Sequence, residues 1–264
     1  MTDVFEFSQG SLPLLVSVPH AGTELPPNIR DRLTGSARTL PDTDWFVDRL
    51  YDFARTMGAS MIKANYSRYV IDLNRPPDDT SLYPGQAGTG LCPVTLFDGM
   101  PLYKEGCAPA QNEIAHRLSA YWFPYHDKIK AELARLLRMH GKVLLWDGHS
   151  IRRRVPRLFD GPLPDLNIGT ADGKSCAPQL TEKVAYLARN QKSFSVVLNG
   201  RFKGGYITRH YGAPDAGIHT IQLEIAQDCY MDETEIPAYD KVRARELISV
   251  LGRLVKGALE TLNA

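Results

Sequence analysis

Short apolar runs alternate along the chain with longer stretches in which apolar residues recur every three or four positions. That alternation predicts an α/β fold, one domain over residues 1–264 with a mixed, largely parallel sheet flanked by helices. Residues 14–18, 61–64, 69–73, 143–146, 194–198 and 220–225 read as strands. Helical spacing falls on residues 44–57, where positions 46, 47, 50, 53, 54 and 57 form one apolar stripe. It returns in residues 111–139 through Ile114, Leu118, Trp122, Tyr125, Ile129, Leu133 and Leu136, and in residues 241–262 through Val242, Leu247, Leu251, Leu254, Ala258 and Leu262. Two stretches, 75–110 and 151–178, are rich in Gly, Pro and Asp and fit neither pattern. Connections of that length are usually functional loops.

Composition narrows the function by exclusion. Charged residues make up 23% and the hydrophobic set 43%, the profile of an ordinary globular protein. Lys plus Arg total 31 against 30 Asp plus Glu, so no positive field exists for a nucleic acid or an anionic membrane. The start, MTDVFEFSQG, has neither the basic opening nor the apolar run of a signal peptide, and a cytoplasmic location is expected. Cys92, Cys107, Cys176 and Cys229 lie far apart, without a C-x-x-C pair, and read as reduced thiols.

Candidate chemistry sits where apolar runs end. In LLVSVPHAG a strand runs into Pro19 and His20, and in VLLWDGHS another runs into His149. Ligands of open α/β sheets bind at such strand ends. Alone, each histidine has an equally ordinary explanation as a side chain bonded to a nearby carbonyl; together they suit zinc, which needs rigidly placed imidazoles but no adjacency in sequence. A catalytic zinc takes a third protein ligand. Asp44, expected at the start of a helix after LPDTD, offers a carboxylate, its alternative role being a helix cap, and Glu24 and Asp42 also qualify. Glu224, in the strand of HTIQLEIAQ, is an acid in an apolar run; facing an activated water it becomes a general base, and otherwise it pairs with an arginine.

Arginines 68, 75, 201 and 209 stand in loop-like contexts. Residues 69–73 are expected to deliver Asn74 and Arg75 together to the sheet edge, where a guanidinium fork and an amide can grip a carboxylate. The glycine-rich NGRFKGGYITRHYG contains no phosphate-binding signature. It reads as a mobile substrate cover in which Arg209 or Lys203 meets a second carboxylate and Tyr206 adds a hydroxyl. A small dicarboxylate is therefore the expected partner.

The segments SVPHAG, DTDW, SRYVIDLNRPPDDTSLYPG, DGHS, GRFKGGYITRHYG and HTIQLEI, in this order, resemble the N-formylglutamate amidohydrolases over nearly the whole chain. The resemblance implies hydrolysis of N-formyl-L-glutamate to glutamate and formate, the last step of one route of histidine degradation. It also implies a zinc carboxypeptidase and aspartoacylase type of fold, with zinc at the carboxyl ends of the strands. Its two histidines match His20 and His149, its glutamate base matches Glu224, and its carboxylate grip matches Asn74 and Arg75. Carboxypeptidases place an acid three residues after the first histidine, where this chain has Thr23; an acid opening the next helix, as in zinc amidases of peptidoglycan, matches Asp44. The expected mechanism has zinc, or another divalent transition metal, on His20, Asp44 and His149. Glu224 moves the proton, Arg68 steadies the oxyanion, and Arg209 holds the second carboxylate.

Overall fold

The apolar runs become strands because both of their faces are covered. In the computed structural model, which describes every residue except 1, 83, 84, 86 and 234–236, the strands of the main sheet are Phe5–Ser8 (β1), Leu14–Val18 (β2), Ser60–Ala64 (β3), Val143–Ile151 (β4), Leu166–Gly169 (β5), Val196–Leu198 (β6) and Ile218–Ala226 (β7). Their order is β1-β3-β2-β4-β7-β5-β6. The pairs β3–β2, β2–β4 and β4–β7 are parallel and form the centre. Antiparallel pairs, β1 with β3 and β5 with β7, flank it. Every residue of β2 and β4 is buried, as parallel strands sandwiched between helices require.

Helices form at Pro27–Arg30 (α1), Val47–Leu50 (α2), Asp52–Met57 (α3), Gln111–Arg117 (α4), Phe123–His140 (α5), Pro178–Asn190 (α6), Tyr206–Tyr211 (α7) and Lys241–Asn263 (α8). Strand alternation divides the core between the two faces. Leu14, Val16 and Trp146 pack on Leu180 and Val184 of α6 and on Leu247, Leu251 and Leu254 of α8, while Leu15 and Leu145 pack on Ile129, Leu133 and Leu136 of α5. Each buried leucine contributes about 1.5–3 kcal/mol. Asp240 caps α8 by accepting from the Val242 and Arg243 N–H groups. A two-residue ribbon, Met231–Asp232 with Ala238–Tyr239, lies outside the sheet. Among the described residues no helix is long and apolar enough to cross a membrane, and the four cysteines are unpaired.

Several expectations are corrected. Residues 69–73 are buried but form an irregular turn, not a strand, because their backbone groups bond locally, to the Leu91 carbonyl and to helix side chains. Residues 44–57 split into α2 and α3, and Asp44 opens neither: Phe46, in the left-handed region at φ 61°, precedes α2. Stretch 151–178 contains β5 and leads directly into α6.

Candidate active site

The site lies at the carboxyl ends of β2, β4 and β7. Strand β2 stops at Val18 and its following turn carries His20. Strand β4 carries Asp147 and His149, and β7 sets Glu224 in register with His149. Gly148 belongs here because a Cβ would come within 2.6 Å of the Tyr51 ring. Asp44 is drawn in by its own backbone, whose N–H donates to the carbonyl of His20 at 3.1 Å.

The two imidazoles turn the same edge inward. Nδ1 of His149 lies 3.0 Å from Oδ2 of Asp44, and Nδ1 of His20 lies 3.7 Å from the same oxygen. Each Nε2 faces a second carboxylate: His20 reaches Asp72 at 2.8 Å and His149 reaches Asp147 at 3.0 Å. The rings stand 4.9 Å apart between centroids. One ligand atom each from His20, Asp44 and His149 falls within 4.8 Å of the others. Arg68 ties the carboxylates together, donating to Asp72 at 2.7 Å and standing 3.6 Å from Asp44.

Electrostatics follow from burial and pairing. Burial favours neutral Asp44, yet His149 and His20 outweigh it and hold the carboxyl below its ordinary range. Burial works likewise on Asp72, where His20, Arg68 and Arg75 prevail and keep it ionised. Burial pushes the His149 imidazole down, but Asp147 and Asp44 raise it well above its usual value. Glu224 differs: burial lifts its carboxyl and the opposing charge of His149 does not restore it. One acid with strong affinity for a proton thus stands beside two, Asp44 and Asp72, that shed theirs, the separation that acid–base catalysis needs.

Around this group lies a pocket of about 80 Å³, measured for water centres, lined by His20, Arg68, Asn74, Arg75, His149, Arg201, Phe202, Gly205, Gln222 and Glu224 among others. At roughly 30 Å³ per water it has room for two or three waters, so only a small ligand fits. Three guanidiniums border it. Arg75 bonds the Thr89 carbonyl at 2.8 Å, Arg201 bonds the Leu158 carbonyl at 2.8 Å, and Arg68 lies over the Phe97 ring at 4.7 Å. The amide of Asn74 is oriented by the Ile207 N–H, which donates to its Oδ1 at 2.8 Å, so its nitrogen end lies 3.0 Å from Nε2 of His149, the atom that also faces Asp147. Gly205 is required beside it, for a Cβ would lie 2.3 Å from Nδ2 of Asn74.

The structure thus brings together His20, Asp44, His149, Glu224, Arg68, Asn74 and Arg75. It does not bring Tyr206 or Arg209. The Tyr206 ring packs on Trp122 and His126, with centroids 5.5 and 5.4 Å away, and exposed Arg209 bonds the Gly204 carbonyl. Both fall on α7, which takes up the second half of the expected loop, while residues 199–205 stay irregular and border the pocket. Glu24 is exposed, Asp42 accepts from the Phe97 N–H, and Lys203 pairs with Asp172. The sequence reading passed over Asp72, Asp147 and Gln222. For the two aspartates an acid inside an apolar run was the available signal, the one that singled out Glu224.

The sequence model of the N-formylglutamate amidohydrolase family matches residues 12–231. N-formylglutamate deformylase of Pseudomonas putida is 53% identical over 98% of this chain and 97% of its own length. The protein of the same name from Pseudomonas aeruginosa is 52% identical over the same shares. The crystal structure of N-formylglutamate amidohydrolase from Ralstonia eutropha JMP134 superposes with a TM-score of 0.80 at 25% identity, covering 96% of each chain. The structure of Agrobacterium tumefaciens gene product Atu2144 shares the fold, with a TM-score of 0.74 at 19% identity over 100% of this chain and 97% of that one. With its pocket of acids, imidazoles and arginines at the strand ends, the chain belongs to the N-formylglutamate amidohydrolase family of enzymes.

Proposed function

We propose that the protein is a zinc-dependent deformylase that converts N-formyl-L-glutamate to glutamate and formate, in the cytoplasm and in histidine degradation. The observation that carries the reading is a pair of buried polar atoms, Nδ1 of His20 and Oδ1 of Asp44, that have no hydrogen-bond partner among the described residues. Both belong to the three-residue cluster completed by His149. A cation satisfies such atoms, and the Nε2 contacts to Asp72 and Asp147 are the outer supports that metal-bound imidazoles use.

Zinc, or another divalent transition metal, would be held by Nδ1 of His20, Nδ1 of His149 and a carboxylate oxygen of Asp44, where it acidifies water and polarises the formyl carbonyl. The protein's own groups do the rest. Glu224, its proton affinity raised by burial, takes a proton from the water that adds to the formyl carbon. It hands that proton to the amine nitrogen as the carbon–nitrogen bond breaks. Arg68, whose Nε has no partner among the described residues, faces the oxyanion.

Formyl offers almost no binding surface, so the carboxylates set the substrate's position. Asn74 and Arg75 hold one of them. For the second, Arg201 replaces Arg209, because Arg201 borders the pocket and Arg209 does not. The small pocket favours a single acyl amino acid over a peptide. Support for the formyl substrate comes from the two Pseudomonas deformylases at 53% and 52% identity.

The test pairs metal analysis with formate release on formyl, acetyl and succinyl derivatives of Glu, Asp and Arg. We expect about one equivalent of divalent metal and turnover concentrated on formylglutamate. Undiminished turnover after complete metal removal would sink the metal assignment, and equal turnover of acetyl substrates would sink the formyl assignment.

A further inference from the structure

The turn that carries Asn74 and Arg75 is not held by a sheet, and its carbonyls must find donors elsewhere. Three consecutive ones do. Nε2 of His126 donates to the Leu73 carbonyl at 2.9 Å, the Tyr206 N–H donates to that of Asn74 at 3.3 Å, and Nε1 of Trp122 donates to that of Arg75 at 3.0 Å. Trp122 and His126 are four positions apart where α4 passes into α5 through a single π-helical turn, Leu118–Trp122. Such turns are rare and frequently mark functional sites. Here the turn sets the indole N–H and the imidazole N–H against the same segment, with the two rings stacked at 3.8 Å.

The imidazole is committed by its partners. A carbonyl at Nε2 fixes the proton there, leaving Nδ1 to accept from the Tyr211 hydroxyl at 2.9 Å. Both side chains are buried, at 0% exposure for His126 and 2% for Trp122, and neither lines the pocket. Apolar spacing alone would class Trp122 as a core residue. Its indole N–H nonetheless serves the backbone of the residue that borders the pocket.

We propose that Trp122 and His126 are positioning residues for substrate recognition: they hold the Asn74–Arg75 turn at the height at which its side chains grip one substrate carboxylate. This rests on the reading of Asn74 and Arg75 as that grip. Loss of either donor frees a carbonyl, the turn shifts, and the carboxylate loses its fit while Glu224 and the histidine cluster stay in place. The penalty therefore belongs to substrates that carry that carboxylate.

Trp122→Phe keeps the stacking and deletes the N–H; His126→Leu deletes the other donor, and His126→Gln returns an N–H. kcat and KM are measured on N-formylglutamate, on N-formylglutamine, which lacks the side-chain carboxylate, and on 4-formamidobutyrate, which lacks the α-carboxylate. Arg75→Met, run in parallel, identifies which analogue has lost the carboxylate that Arg75 holds. We expect Trp122→Phe to raise KM about three- to tenfold for N-formylglutamate with kcat within about twofold. The penalty should vanish on the analogue that also abolishes the Arg75→Met effect, and His126→Gln should restore much of what His126→Leu loses.

An equal penalty for Trp122→Phe on all three substrates, or none on any, overturns the proposal while leaving the grip intact. Should Arg75→Met itself act equally on all three, the grip is refuted first. If His126→Leu fails to fold, the Trp122→Phe series decides alone.

Discussion

Replacing Asp147 by asparagine tests how the imidazole of His149 is held. Asp147 is 0% exposed, and its Oδ2 stands 3.0 Å from Nε2 of His149. As a carboxylate it receives a charge-assisted hydrogen bond of about 1.5–3 kcal/mol, against about 0.5–1.5 kcal/mol for a neutral amide of the same shape. The difference, about 1–1.5 kcal/mol, corresponds to about five- to tenfold in affinity at about 1.4 kcal/mol per decade. Loss of an outer carboxylate elsewhere costs about 10- to 100-fold, so affinity for the proposed zinc should fall by about tenfold and by no more than about a hundredfold. Competition with a chromogenic chelator at neutral pH measures the dissociation constant, and circular dichroism verifies that the variant is folded. An unchanged constant in a folded variant would refute the assignment of His149 as a ligand steadied through its Nε2.

Glu224→Gln preserves shape and removes the base: kcat should drop about 10²- to 10⁴-fold while metal content measured by elemental analysis stays at the wild-type level. Arg201→Met should raise KM for formylglutamate about tenfold or more, whereas Arg209→Met should leave both constants near wild type; steady-state formate release distinguishes them. His126 supplies a pH signature. Burial lowers its value to about 3 from 6.5, so the unfolded chain takes up a proton that the folded one refuses. Stability present above about pH 6.5 is therefore lost as pH falls toward 3. At pH 4.5 the loss amounts to about 2–3 kcal/mol, two pH units at about 1.36 kcal/mol each. Urea titrations of wild type and His126→Gln at pH 7 and 4.5 should show their stability gap closing by that amount.

The parts of the fold that were readable are those whose burial is symmetrical. Strand β2 was legible to the residue, and β4 and β7 in their cores, because central parallel strands are apolar on both faces. Edge strand β6 fell within the expected 194–198 and α8 within a residue of its expected end, but β5 and α6 were not read. Strand β5 alternates Asn167 with apolar neighbours inside a Gly- and Pro-rich stretch, and α6 follows it with Pro178 at its first turn. The misread run, residues 69–73, was as apolar as any strand, and nothing in its composition reveals that side chains serve its carbonyls. Arg117 donates to Val70 at 2.8 Å and His126 to Leu73 at 2.9 Å, contacts between residues 47 and 53 positions apart.

The site divides in the same way. His20, His149 and Glu224 were legible because a polar residue closing an apolar run is costly unless it is used. Asp72 and Asp147 raised the same signal and were absorbed into the runs around them. Arg209 and Tyr206 were misplaced because a glycine pair suggested a loop, whereas Gly205 marks close packing against Asn74 and α7 begins immediately after it.

The three clustered groups, His20, Asp44 and His149, come from separate regions of the polypeptide, and 105 positions separate Asp44 from His149. No local stretch presents two of them together, so the cluster exists only once β2 and β4 have paired. Uptake of the proposed metal would therefore follow assembly, unlike that of small zinc modules whose cation organises the chain. On that proposal, a returning metal supply would activate protein already made.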